Sequence, residues 1–140
     1  MPRKLGKTGL VVSPLALGTV ELGYQYGIGP RILPSEKEAI ALLHRAVESG
    51  ITLFDTAHFY GCAEERIGKS GIAQMPGVII ITKCCHDIQK RPDITASELE
   101  GVVRREVDQS RKTLGLDTLT LLMMHGGTAE QIRNGMIIDI

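Results

Sequence analysis

The sequence predicts an α/β fold built on a parallel sheet, and three observations predict it. Short apolar runs alternate with stretches whose apolar residues recur at helical spacing. The runs Val78-Ile79-Ile80-Ile81-Thr82 and Leu119-Thr120-Leu121-Leu122-Met123-Met124 are apolar almost throughout, as parallel strands covered on both faces require. Three runs also finish on an ionisable residue: Ile51-Thr52-Leu53-Phe54 on Asp55, the second on Lys83 and the third on His125. In parallel α/β architectures function gathers at the carboxyl ends of strands, where the connecting loops converge on one face.

The elements follow in order. Gly6-Lys7-Thr8-Gly9 is a turn signal between short apolar pieces, so residues 2–14 are expected to form a β-hairpin that caps one end of the fold. Leu15 to Val20 reads as the first buried strand. The glycine- and proline-punctuated stretch from Gly23 to Pro34 reads as a loop, longer than a mere connector needs. Ser35 with Glu38 forms a capping box, after which Ile40, Leu43 and Val47 make an apolar stripe until Gly50 stops the helix. The second strand, Ile51 to Asp55, follows at once.

Ala63 to Ala73 reads as a short helix with Glu64 and Glu65 in its first turn, broken by Pro76-Gly77. Strand three is Val78 to Lys83. Thr95 and Glu98 form a second capping box, with Ile94 and Leu99 at hydrophobic-staple positions. Leu99, Val102, Val103, Val107 and Leu114 continue the stripe to Gly115. Strand four is Leu119 to His125, and Ala129 to Arg133 begins a polar helical pattern.

A hairpin followed by four strand–helix alternations matches half of a parallel (β/α) barrel of the TIM type, whose complete form takes about 250 residues. The expectation is therefore one partial domain over residues 1–140: hairpin 2–14, four β/α units over 15–125, and a truncated tail over 126–140. The open edges of such a sheet predict self-association.

The chain of 140 residues carries 16 basic and 16 acidic residues and no run of like charge, which argues against nucleic acid or an anionic membrane as partner. Nowhere do about eighteen apolar residues run together, and no apolar stretch follows the basic start. Cys62, Cys84 and Cys85 leave one thiol unpaired in any disulfide scheme, which suits a reducing, cytoplasmic setting.

Asp55, Tyr60, Lys83 and His125 are the candidate site. A phenol in water titrates near about pH 10, so proton donation from Tyr60 calls for a cation nearby, and Lys83 is that candidate. Asp55 would hold the ammonium, and His125 would orient a carbonyl oxygen between itself and the phenol.

These residues also carry a resemblance. Arg3-Lys4-Leu5-Gly6-Lys7-Thr8-Gly9-Leu10-Val11-Val12-Ser13, Leu17-Gly18-Thr19, Gly50-Ile51-Thr52-Leu53-Phe54-Asp55-Thr56-Ala57, Tyr60-Gly61-Cys62-Ala63-Glu64-Glu65-Arg66-Ile67-Gly68 and Ile81-Thr82-Lys83 resemble, in order, the N-terminal motifs of the aldo-keto reductases. The resemblance implies a (β/α)8 barrel that reduces an aldehyde or ketone with NADPH, or alternatively NADH. It implies that Asp55, Tyr60, Lys83 and His125 take catalytic positions and that Tyr60 protonates the carbonyl oxygen. Gly18 and Thr19 would stand beside the nicotinamide, and Asp55 would also touch its ribose. In that family the pyrophosphate and 2′-phosphate are held by the second half of the barrel, so this chain alone is expected to bind NADPH weakly and to turn over little.

Other readings are weaker. Gly68-Lys69-Ser70 has Ala63 where a phosphate loop needs its first glycine, and the stretch from Gly23 to Gly29 lacks dinucleotide-fingerprint spacing. Cys84, Cys85, His86 and Asp87, even with Cys62 and His58, match no zinc pattern, so no metal is expected. His44 reads as a structural helix histidine. The remaining alternatives are a Schiff-base lyase using Lys83 and a non-catalytic, reductase-like binding protein or inert fragment.

Overall fold

A computed structural model describes residues 1–29, 32–133 and 135 of the chain. The expected loop of residues 23–34 and the tail of residues 126–140 fall partly outside the described residues. The turn at residues 6–9 closes an antiparallel pair, β1 (Arg3–Lys4) with β2 (Val11–Val12), in which Arg3 faces Val12. Val12 is buried with Leu53 and Ile79, the first residues of two later strands. The hairpin thus covers the amino ends of the sheet and leaves the carboxyl ends clear.

The main sheet has four parallel strands in sequential order: β3 (Ala16–Gly18), β4 (Leu53–Asp55), β5 (Ile79–Cys84) and β6 (Leu121–Met124). Helices α1 (Glu36–Glu48), α2 (Ala63–Ser70) and α3 (Ala96–Leu114) form the connections, and α4 (Ala129–Arg133) follows β6. Both expected capping boxes are present, Ser35 with Glu38 and Thr95 with Glu98, each satisfying backbone donors that a helix start leaves unpaired. Ile94 and Leu99 share one apolar cluster, as a staple requires.

The core lies between the sheet and the helices. Phe54 and Ile80 face Leu43 of α1, Ile67 of α2 and Leu114 of α3. Gly68 lets α2 approach α3 closely, since a Cβ there would collide with the Thr113 carbonyl oxygen.

Three expectations change. The first strand, expected buried over Leu15 to Val20, is limited to Ala16–Gly18 and largely exposed, with Leu15 70% exposed, because β3 stands at the edge of the sheet. The helix expected over Ala63 to Ala73 ends at Ser70, because Gly71 adopts a left-handed conformation (φ 74°) and a separate 3-10 turn takes Ile72–Gln74. Strand four was expected to be covered on both faces, yet Leu122 and Met123, on opposite faces, are 38% and 39% exposed. Among the described residues β6 is the last strand of the sheet and pairs only with β5, so it lacks a neighbour's cover. Among the described residues no helix is long and apolar enough to cross a membrane.

The α1 stripe is set by Ala39, Leu43 and Ala46, with Ile40 and Val47 half-buried. Leu43 is 0% exposed whereas its neighbour Leu42 is 46% exposed. Leu43→Ala is expected to lower the unfolding free energy by about 2–5 kcal/mol and Leu42→Ala by about 0.5 kcal/mol or less, measured by urea denaturation.

Candidate active site

Sheet register brings the first pair together. Asp55 ends β4 and faces Ile81 of β5; Lys83 lies two residues further along β5 and so on the same face. The Lys83 ammonium reaches Asp55 Oδ1 at 2.5 Å, donates to the Thr56 carbonyl at 2.9 Å and stands 3.5 Å from the Tyr60 hydroxyl. An ammonium has three donor hydrogens, and these three oxygens use them. The Lys83 side chain is 11% exposed and that of Asp55 36%, so the pair is charge-assisted and only partly screened by water.

His125 follows β6 directly, and its backbone N–H donates to the Cys84 carbonyl at 2.7 Å, extending the β5–β6 pairing by one step. Its ring meets the Tyr60 ring edge-on, with centroids 5.3 Å apart and planes at 87°. Burial holds the imidazole below its ordinary pKa, reinforced by the neighbouring His86 and Lys83. Its Nδ1 is buried and has no hydrogen-bond partner.

Tyr60 sits in the loop between β4 and α2, which is fixed at both ends. The His58 N–H donates to the Lys83 carbonyl at 3.0 Å, and the Ala63 N–H donates to the Tyr60 carbonyl at 3.0 Å. In the middle the loop is pinned by two glycines. A Cβ on Gly23 would collide with the Tyr60 carbonyl, and one on Gly61 (φ 56°) with the Gly23 carbonyl. The Cys62 N–H and the Arg66 guanidinium complete the clamp by donating to the Gly23 and Leu22 carbonyls.

Behind the sheet, Glu64 is buried. It accepts from Thr82 Oγ1 at 2.5 Å and from Ser110 Oγ at 3.0 Å, and His58 Nδ1 lies 3.7 Å from it. This joint ties α2 and α3 to β5 one residue before Lys83.

The four candidates from the sequence therefore converge at one end of the sheet. Gly18 and Thr19 lie beside them but differ in kind. Gly18 is exposed at the end of β3 opposite Asp55. Thr19 is buried, and both its N–H and its hydroxyl donate to the Asp55 carbonyl, so its side chain positions that strand end.

The sequence reading did not single out the aromatic rim. Phe59 and His86 stack with centroids 3.5 Å apart and planes 2° from parallel. His86 meets His125 edge-on at 4.7 Å, and Tyr24 meets Phe59 at 5.8 Å. One available signal was the scarcity of aromatic residues: with three tyrosines and two phenylalanines in the chain, the adjacent pair Phe59-Tyr60 stands out. A hydroxyl beside an ammonium and an imidazole is a donor set able to polarise a carbonyl oxygen.

The model of the Aldo/keto reductase family matches residues 14–128. The uncharacterized oxidoreductase YrpG of Bacillus subtilis is 33% identical over 134 residues, covering 86% of this chain and 38% of the relative. L-galactose dehydrogenase of Arabidopsis thaliana is 34% identical over 138 residues, covering 93% of this chain and 40% of the relative. A Pseudomonas aeruginosa crystal structure assigned to the aldo-keto reductases superposes with a TM-score of 0.76 at 36% identity, over 98% of this chain and 51% of that one. The chain thus spans about two-fifths of those curated relatives' length and about half of the solved structure's.

Because the His125 pKa is lowered on folding, the stability contributed by its neutral ring is fully present above the free-histidine value of about 6.5. It is lost as pH falls through the lower folded value. NMR titration is expected to place the His125 ring below that free value, and the drop in unfolding free energy between about pH 7 and pH 5 should shrink in His125→Gln.

Proposed function

The chain belongs to the aldo/keto reductase family, and from that premise we propose that its strand-end site serves the NADPH-dependent reduction of an aldehyde or ketone to an alcohol. The observation that carries this reading is the Lys83 ammonium held between Asp55 and the Tyr60 hydroxyl, with the His125 ring edge-on beside them. When bound, the reduced nicotinamide supplies a hydride to the carbonyl carbon.

The chain's own residues manage the oxygen and its proton. Tyr60 donates the proton, and the Lys83 ammonium beside it stabilises the phenolate that forms. Asp55 keeps the ammonium in place. His125, kept neutral by burial, helps to orient the substrate oxygen. At the cofactor end, Gly18 offers a backbone that no side chain covers, and a Cβ there would meet nothing within 4 Å. Such an opening beside the partly exposed Asp55 carboxylate fits the nicotinamide–ribose end of NADPH, with NADH as the alternative. Thr19 contributes there by holding the Asp55 backbone.

Two accompanying readings belong to the same proposal. The three cysteines are all free thiols, which fits a reducing, cytoplasmic setting. The open edge at β6, with Leu122 and Met123 exposed, offers a surface for self-association. A Schiff-base lyase fits less well, because the Lys83 nitrogen is engaged by three oxygens and a carbonyl addition needs a free amine. A reductase-like binding protein without turnover is the second reading.

Phosphate sites of β/α barrels gather after strands seven and eight, and this chain contributes four parallel strands. Residues 1–140 alone are therefore expected to show weak NADPH binding by cofactor fluorescence; saturation at micromolar concentrations would overturn this. Fused in place of the matching half of the Pseudomonas aeruginosa relative, the chain should support aldehyde-dependent NADPH oxidation. In that chimera Tyr60→Phe should reduce the rate by about 10²- to 10⁴-fold. An undiminished rate would remove Tyr60 as the acid.

A further inference from the structure

The carboxyl end of β5 gathers three sulfur atoms that the proposed reduction leaves unused. Side chains of successive strand residues point to opposite faces, so Cys84 and Cys85 should diverge. Both are buried instead, and Cys85 adopts φ 62°, the one positive φ among the described residues other than glycine. Its N–H donates to Glu106 Oε2 at 2.7 Å, which holds the reversed backbone. Both thiols are buried in one apolar cluster with Ile88, Ile94 and Leu99. Cys84 Sγ lies 3.9 Å from Met124 Sδ, its direct neighbour across the β5–β6 pairing. A left-handed cysteine is the kind of backbone outlier from which a functional reading can start.

We propose that Cys84, Cys85 and Met124 form a binding site for a soft monovalent cation of the copper(I) class, held by two thiolates and one thioether. Thiolate and thioether donors select such an ion over hard cations, which need oxygen ligands. Three sulfurs bound at about 2.3 Å around a trigonal ion stand about 4 Å apart, and the Cys84–Met124 pair already has that separation. Among the described residues no three His, Cys, Asp or Glu side chains group as metal ligands, so a zinc-type donor set is absent and the thioether supplies the third donor.

A cavity of about 190 Å³, lined by Cys85, Ile88, Arg91, Leu99 and Glu106 among others, opens beside Cys85 and gives a route in. Binding forms three metal–sulfur bonds, releases the two thiol protons to water and leaves the metal's oxidation state unchanged. The neighbouring thiol holds Cys84 below its ordinary pKa and, with burial and the Glu106 carboxylate, pushes that of Cys85 up. Arg105 offsets only part of that rise, so the second proton leaves only as the metal binds.

The test is an oxygen-free titration of the 140-residue protein with copper(I) against a chromophoric copper(I) chelator. One equivalent should be retained by the protein and by Cys62→Ser. Cys84→Ser and Cys85→Gly should each weaken binding on the order of tenfold or more, and Met124→Leu should weaken it as well. Glycine suits the left-handed backbone at position 85, so Cys85→Gly removes the thiol while keeping the turn. Complete loss of the metal from the unaltered protein to one equivalent of chelator would overturn the proposal. So would retention of full affinity by both Cys84→Ser and Cys85→Gly, and full affinity in Met124→Leu would remove the thioether from the site.

Discussion

The site depends on where the Lys83 ammonium is held. Taking a lysine with an 11% exposed side chain out of water is costly unless its donors are met, and the Asp55 carboxylate, the Thr56 carbonyl and the Tyr60 hydroxyl meet them. Two of those oxygens are fixed by the parallel pairing of β4 with β5, which sets Asp55 opposite Ile81 and Lys83 one step beyond on the same face. The third comes from a loop. A slip of one residue between the strands would turn Lys83 toward the helices and break the whole arrangement.

The helix side of the sheet reinforces this register. Thr82 points away from the site, into the carboxylate of Glu64, which also takes the Ser110 hydroxyl. A buried carboxylate left unpaired would be destabilising; with both oxygens bonded it becomes a joint between two helices and the strand that carries Lys83. Alternate residues of β5 thus have separate duties, one structural and one chemical.

Local signals were legible in the sequence, and long-range ones were not. Both capping boxes could be read because the partners are three residues apart and the geometry is the same in any helix. The strand-end residues Asp55, Lys83 and His125 could be read because each strand announces its own end. The break at Gly71 was missed since a glycine inside a helical pattern looks alike whether it is tolerated or left-handed. Exposure of β6 depends on what stands beside it, which periodicity does not encode. The stack of Phe59 on His86 joins residues from two loops, which no local pattern pairs.

The contact between Gly23 and Gly61 reaches beyond geometry. Since neither position tolerates a Cβ against the opposing carbonyl, the loop after β3 and the loop bearing Tyr60 are packed backbone against backbone. Variation in the first loop is therefore partitioned. In the proposed reading, side chains beyond Tyr24 are the ones to exchange for a different substrate, while a change at Gly23 itself is transmitted directly to Tyr60. On that reading specificity and chemistry share a backbone contact yet can be altered separately, which marks the outer loop as the place to redesign recognition.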